Sequence, residues 1–141
     1  MLERLHEHIN LELGINTRTD TIYVVTAIIF NFVMLGINAS VAAGASRGDA
    51  TARAVLIITM VLSILVNGIA VLGLLTGRQT RHKLLRGLLK MYTDAGVGQY
   101  YDPTLLSNYD RRYVMFTAII ALLGVAGILI PLVMILVPSG L

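Results

Sequence analysis

The chain has 141 residues, 56% hydrophobic and 13% charged, with a formal net charge of +3 and no cysteine. That charged fraction is about half of what soluble domains carry, which excludes a water-soluble globule. The absent thiols remove disulfides, thiolate metal sites and a cysteine nucleophile.

The few charges are segregated. Stretches 21–46, 54–77 and 113–141 contain none, and each exceeds the ~20 apolar residues a helix needs to cross ~30 Å of hydrocarbon. The expected fold is all-α: a single membrane domain over 1–141, with three transmembrane helices and two amphipathic interfacial helices on the cytoplasmic side.

Residues 1–14 form the first interfacial helix. Leu2, Leu5, Ile9 and Leu13 repeat at helical spacing, Glu3, Arg4, Glu7 and Asn10 lie elsewhere, and Gly14 is the expected stop. Glu3, Glu7 and Glu12 stand where a secretory signal needs basic residues.

The first span, 20–46, opens at Asp20, an N-cap or a charge at the cytoplasmic mouth. Gly36, Ser40 and Gly44 recur every four residues, a small-residue ridge that lets another helix approach closely. At 100° per residue, Asn31 and Asn38 lie about 170° from that ridge, with Asp20, Val24, Ala27, Met34, Ala42 and Ala45 on the same far face. The helix therefore has two faces unsuited to lipid. The ridge is expected to pack within the chain, against the second span. The asparagine face then meets a neighbouring protein or a water-filled path, which makes Asp20, Asn31 and Asn38 the pore or interface candidates.

The second span, 52–77, puts Thr59, Ser63, Asn67 and Ala70 on one face, with Gly73 and Gly77 at its edge. These are the expected helix-packing residues. In 78–92, Leu84, Leu85, Leu88, Leu89 and Tyr92 oppose Lys83, Arg86 and Lys90; a basic amphipathic helix of this kind lies on an anionic leaflet. Arg81, Lys83, Arg86 and Lys90 are its expected membrane-surface anchors.

Residues 93–108 form a tyrosine-rich loop, with Asp102-Pro103 as a helix-start signal, so it is expected to be ordered. Ser107 to Asp110 resembles a cap for the third span, 109–137, where Gly124 and Gly127 permit close contact and Pro131 introduces a kink.

Arg78, Arg81, Lys83, Arg86, Lys90, Arg111 and Arg112 fall between the second and third spans, while Arg47 and Arg53 flank the first turn. The positive-inside rule puts that loop and the N-terminus in the cytoplasm and the C-terminus outside. A prokaryotic cytoplasmic membrane is the expected location. The basic pI of about 9.5 is absorbed by this asymmetry, so no nucleic-acid partner is expected.

Nothing points to catalysis. Glu3 and His6 have the Glu-x-x-His spacing of helical-bundle metal sites but lack the second copy such sites need. His6 and His8 point to nearly opposite sides of a helix. Gly96-Val97-Gly98 lacks the strand, helix and lysine of a phosphate cradle. The expectation is a non-enzymatic protein with no cofactor and no metal. It oligomerises in the bilayer and forms a cation-conducting channel lined by the first span. The alternative is an accessory or structural subunit of a larger membrane complex, without transport of its own.

Overall fold

The computed structural model describes residues 2–102 and 104–137. Among them, helix α1 spans Leu2–Ser46 and α2 spans Ala50–Asp94, 45 residues each. A short 3-10 turn at Gly98–Tyr100 leads to α3, Thr104–Leu136, of 33 residues. All three long helices are long and apolar enough to cross a membrane, the make-up of a multi-pass membrane protein. At ~1.5 Å per residue, α1 and α2 are each roughly twice the length a bilayer core requires.

That length corrects the expected interfacial helices: 1–14 and 78–92 are not separate elements but turns of α1 and α2. Gly14 does not stop α1, because a glycine costs a helix interior only about 1 kcal/mol and the next turns are held by packing at Asn16 and Thr17. Neither α1 nor α2 contains a proline to break it. The apolar face of 78–92 is also not spread on lipid, since Leu85 and Leu88 are buried within the protein.

The breaks that do occur have local causes. Between α1 and α2, Gly48 adopts φ +92°, where a side chain would be strained. Asp49 then caps α2, its Oδ1 accepting the backbone N–H of Thr51 at 2.8 Å and of Ala52 at 3.2 Å. At the far end of α2, Gly96 takes φ +75°, and the Val97 N–H returns to the Tyr92 carbonyl at 2.9 Å. Helix α3 starts at Thr104, ahead of the expected 109, because Asp102 accepts the Thr104 N–H at 2.8 Å; Pro103 lies outside the described residues. Pro131 sits inside α3 with its ring fully buried.

The helices pack as two compact units. One comprises Met1–Tyr23 and Leu72–Thr117, the other Val24–Val71 and Ala118–Leu141. Every Asp, Glu, Lys and Arg except Arg47, Asp49 and Arg53 falls in the first, hence the charged unit; the second is the apolar unit. The apolar unit buries Ala42, Ala45 and Leu56 against Val41, Ala52, Met60 and Ile135. It exposes Ile29, Phe32, Ile57, Ile58, Leu65 and Leu122 by more than half. Small residues inside and large aliphatics outside suit a hydrocarbon solvent. The charged unit buries Ile9, Leu74, Leu85, Leu88 and Tyr113.

Candidate functional site

Each unit holds its own polar cluster. In the apolar unit the cluster consists of neutral amides and hydroxyls. Asn31 is 3% exposed and Asn38 fully buried, and both find partners inside the chain. Asn31 and Asn67 exchange amide hydrogen bonds, Asn31 Nδ2 donating to Asn67 Oδ1 at 2.8 Å and Asn67 Nδ2 to Asn31 Oδ1 at 2.9 Å. Their second N–H groups go to helix carbonyls four residues back, Ala27 and Ser63. Asn38 donates to the Gly127 carbonyl on α3 at 3.1 Å and accepts the Thr59 hydroxyl at 2.6 Å. Ser63 is buried and donates to the Thr59 carbonyl. Gly124 makes room for the Asn67 amide, which a Cβ there would meet at 3.1 Å.

The inward face of α2 is thus the one its sequence indicates, but the two faces of α1 are exchanged. The asparagine face packs within the chain. Gly36 and Ser40 are exposed, a Cβ at Gly36 would touch nothing within 4 Å, and the Ser40 hydroxyl bonds its own helix at the Gly36 carbonyl. Of the ridge only Gly44 has a close neighbour, the Ala52 Cβ. The physical reason is that glycine and serine can face lipid at little cost, whereas an unpaired amide in hydrocarbon costs several kcal/mol.

The charged unit is organised around Asp20, which lies well inside α1 and is no N-cap. The Tyr113 hydroxyl donates to Asp20 Oδ2. Asn16 Nδ2 lies within reach of Asp20 Oδ2 at 3.3 Å, the Gly77 carbonyl at 3.1 Å and the Tyr113 hydroxyl at 3.3 Å; its two protons serve two of these at a time. Gly77 is glycine because a Cβ there would run into the Asp20 carboxylate, and a Cβ at Gly73 would press on the Tyr23 ring at 3.0 Å.

Arg81 is no surface anchor. It is 8% exposed, donates to the Thr17 hydroxyl and, at 3.4 Å, to the Leu13 carbonyl, and lies 4.6 Å over the Tyr109 ring. Its Nε has no hydrogen-bond partner among the described residues. Lys83, Arg86 and Lys90 are exposed as expected. Beside them Asp110 Oδ1 accepts from Arg78 Nε at 2.8 Å and meets His82 Nε2 at 2.7 Å.

Chemically, the amide cluster is closed on itself, and the Asp20 cluster pairs a carboxyl with a phenol and an amide. Among the described residues no three His, Cys, Asp or Glu side chains converge as metal ligands would. At the N-terminal end, His6 shares a hydrogen bond with Asn10 at 2.9 Å and leans on the Tyr92 ring, which in turn meets Tyr101. Burial and the neighbouring Tyr109 push the Tyr101 phenol above its usual range. The Thr104 N–H holds the Asp102 carboxyl below its usual range.

Sequence reasoning does not single out Asn16, Thr17 or Tyr113, and Tyr109 and Asp110 enter it only as part of a cap for the third span. Two signals were available. Asn16 stands four residues before Asp20 on the buried stripe of α1, and Arg81 falls on the α2 stripe Leu74, Gly77, Leu85, Leu88, all of them buried. No protein-family model, curated protein or solved structure matches the chain.

Proposed function

We propose that the chain is a non-enzymatic accessory subunit of a larger assembly in the cytoplasmic membrane, with its N-terminus and residues 78–112 in the cytoplasm and its C-terminus outside. The observation that carries this is the internal use of the intramembrane amides. A channel lined by α1 needs Asn31 and Asn38 turned toward an axis shared by several copies. Here their N–H groups are spent on Ala27, Asn67 and Gly127, which supports a self-contained anchor over a pore wall. The exposed Gly36 and Ser40 suit contact with other membrane subunits. The concentration of cations between α2 and α3 supports the orientation.

The test has a transport arm and an assembly arm. Purified protein reconstituted in liposomes should pass no cations above the leak of empty vesicles. The tagged chain, extracted gently from its own membrane, should migrate far above its 15.3 kDa with a second polypeptide in fixed proportion. Cysteines placed at Thr93 and Ser139 should label from opposite sides of the membrane. A cation flux from the chain alone, abolished by Asn38→Leu, would restore the channel; labelling of both cysteines from one side would overturn the orientation.

A further inference from the structure

We propose that the basic face of α2 in the charged unit binds the phosphate headgroup of an anionic phospholipid. This rests on the membrane-spanning fold and not on the accessory role. A groove of about 370 Å³ is lined by Leu75, Arg78, Gln79, His82, Lys83 and Arg86. These positions recur at three- and four-residue steps, so they form one helix face. It is a separate face from the buried stripe that carries Arg81.

Two of the basic groups are held in place from behind. A single oxygen of Asp110 takes Arg78 through Nε and His82 through Nε2, so the pairing with Arg78 does not use its two Nη groups, the fork that suits a phosphate. Lys83 and Arg86 are exposed and have no ion-pair partner among the described residues. Among the described residues Asp110 is the one acid paired with the groove's cations, so the face keeps a positive excess.

The choice of a lipid over free phosphate comes from Leu75. It is 41% exposed, lines the same groove, and lies two residues before the end of the uncharged stretch 54–77. An occupant in contact with Leu75 and with Arg78 to Arg86 meets hydrocarbon at one end and cations at the other. That is the division of an anionic phospholipid at the membrane surface. Inorganic phosphate would use the basic end alone.

The test uses the full chain, stripped of lipid in mild detergent and offered phosphatidylglycerol or phosphatidylcholine with identical acyl chains, with bound lipid counted by native mass spectrometry. The wild type should retain phosphatidylglycerol about tenfold better, the scale of a few basic contacts with one headgroup. Lys83→Gln combined with Arg86→Gln should reduce that preference to near parity. Arg4→Gln combined with Arg18→Gln removes the same charge from exposed positions of the same unit outside the groove, and should leave the preference unchanged. Equal retention of the two lipids would overturn the proposal, as would equal losses in the two double variants. Displacement of phosphatidylglycerol by an equal concentration of inorganic phosphate would reassign the groove to a free anion. None of these outcomes alters the liposome flux or the mass of the extracted complex, so this proposal and the accessory role fail separately.

Discussion

The two units solve the same problem, how to bury polar side chains between helices, with different chemistry. The apolar unit uses only neutral groups: Asn31 with Asn67, and Asn38 with Thr59 and the Gly127 carbonyl. The charged unit uses ionisable ones: Asp20 with Tyr113, and Arg81 against Thr17 and Tyr109. An amide needs partners for only a few hydrogen bonds and carries no net charge to desolvate, so it can be closed on itself in hydrocarbon. A buried carboxyl or guanidinium is costlier to take out of water, so each partner it loses counts for more. The sensitivity of each unit to a single substitution should differ accordingly.

The largest expected effect is therefore in the charged unit. Asp20→Leu takes away the acceptor of the Tyr113 hydroxyl and one acceptor of the Asn16 amide. Leaving the buried Tyr113 hydroxyl without an acceptor costs about 1–3 kcal/mol, and thermal unfolding in detergent should show a loss of that order. Asp20→Asn keeps an acceptor and should fall between Leu and the wild type. A variant with Leu at this position that melts with the wild type would show that the buried carboxyl holds nothing in place, and the contrast between the units would collapse.

A smaller effect is expected in the apolar unit. Asn31→Ala and Asn67→Ala should each destabilise, and the double variant should cost less than their sum. The coupling should be on the order of 1 kcal/mol, the usual worth of an interhelical hydrogen bond in a membrane. A coupling as large as the Asp20 effect would mean that neutral amides are no cheaper to bury than ions. A coupling of zero would mean that the two side chains do not meet.

Much of the apolar unit was legible beforehand. Charge-free stretches gave the three membrane-length helices, and the 100° projection put Asn31 and Asn38 on one stripe and Thr59, Ser63 and Asn67 on another. Which stripe of α1 the chain covers was not legible from angles alone, since the ridge and the asparagine face both avoid lipid. Hydrogen-bond demand decides it: the amides require partners, and Gly36 and Ser40 do not, the serine being satisfied by its own helix. The charged unit was less legible. Gly14 looks like a stop yet does not interrupt α1, and Gly77 is small to admit the Asp20 carboxylate. Arg81 was grouped with Lys83 and Arg86 by charge, although its place on a leucine stripe separates it from them.

The smallest expected effect lies where neither kind of burial operates, at the start of α3. Asp102 accepts the Thr104 N–H at 2.8 Å in full solvent exposure. That hydrogen bond favours the carboxylate and lowers its folded-state value below the ordinary 3.8. With a lowered folded value, the stabilisation is fully present above the unfolded carboxylate range and is lost as pH falls through the folded value. Asp102→Ala should leave the melting of both units almost unchanged, because water replaces the lost acceptor. It should nonetheless speed hydrogen exchange at the Thr104 amide at neutral pH, since the first turn of α3 loses its cap. The difference from the wild type should shrink as the pH falls through the lowered range of the wild-type carboxyl, where that group loses its charge. Equal exchange at neutral pH would mean that the turn is held by something other than this cap. An unfolding shift as large as that of the Asn31 variants would mean that an exposed hydrogen bond counts as much here as a buried one.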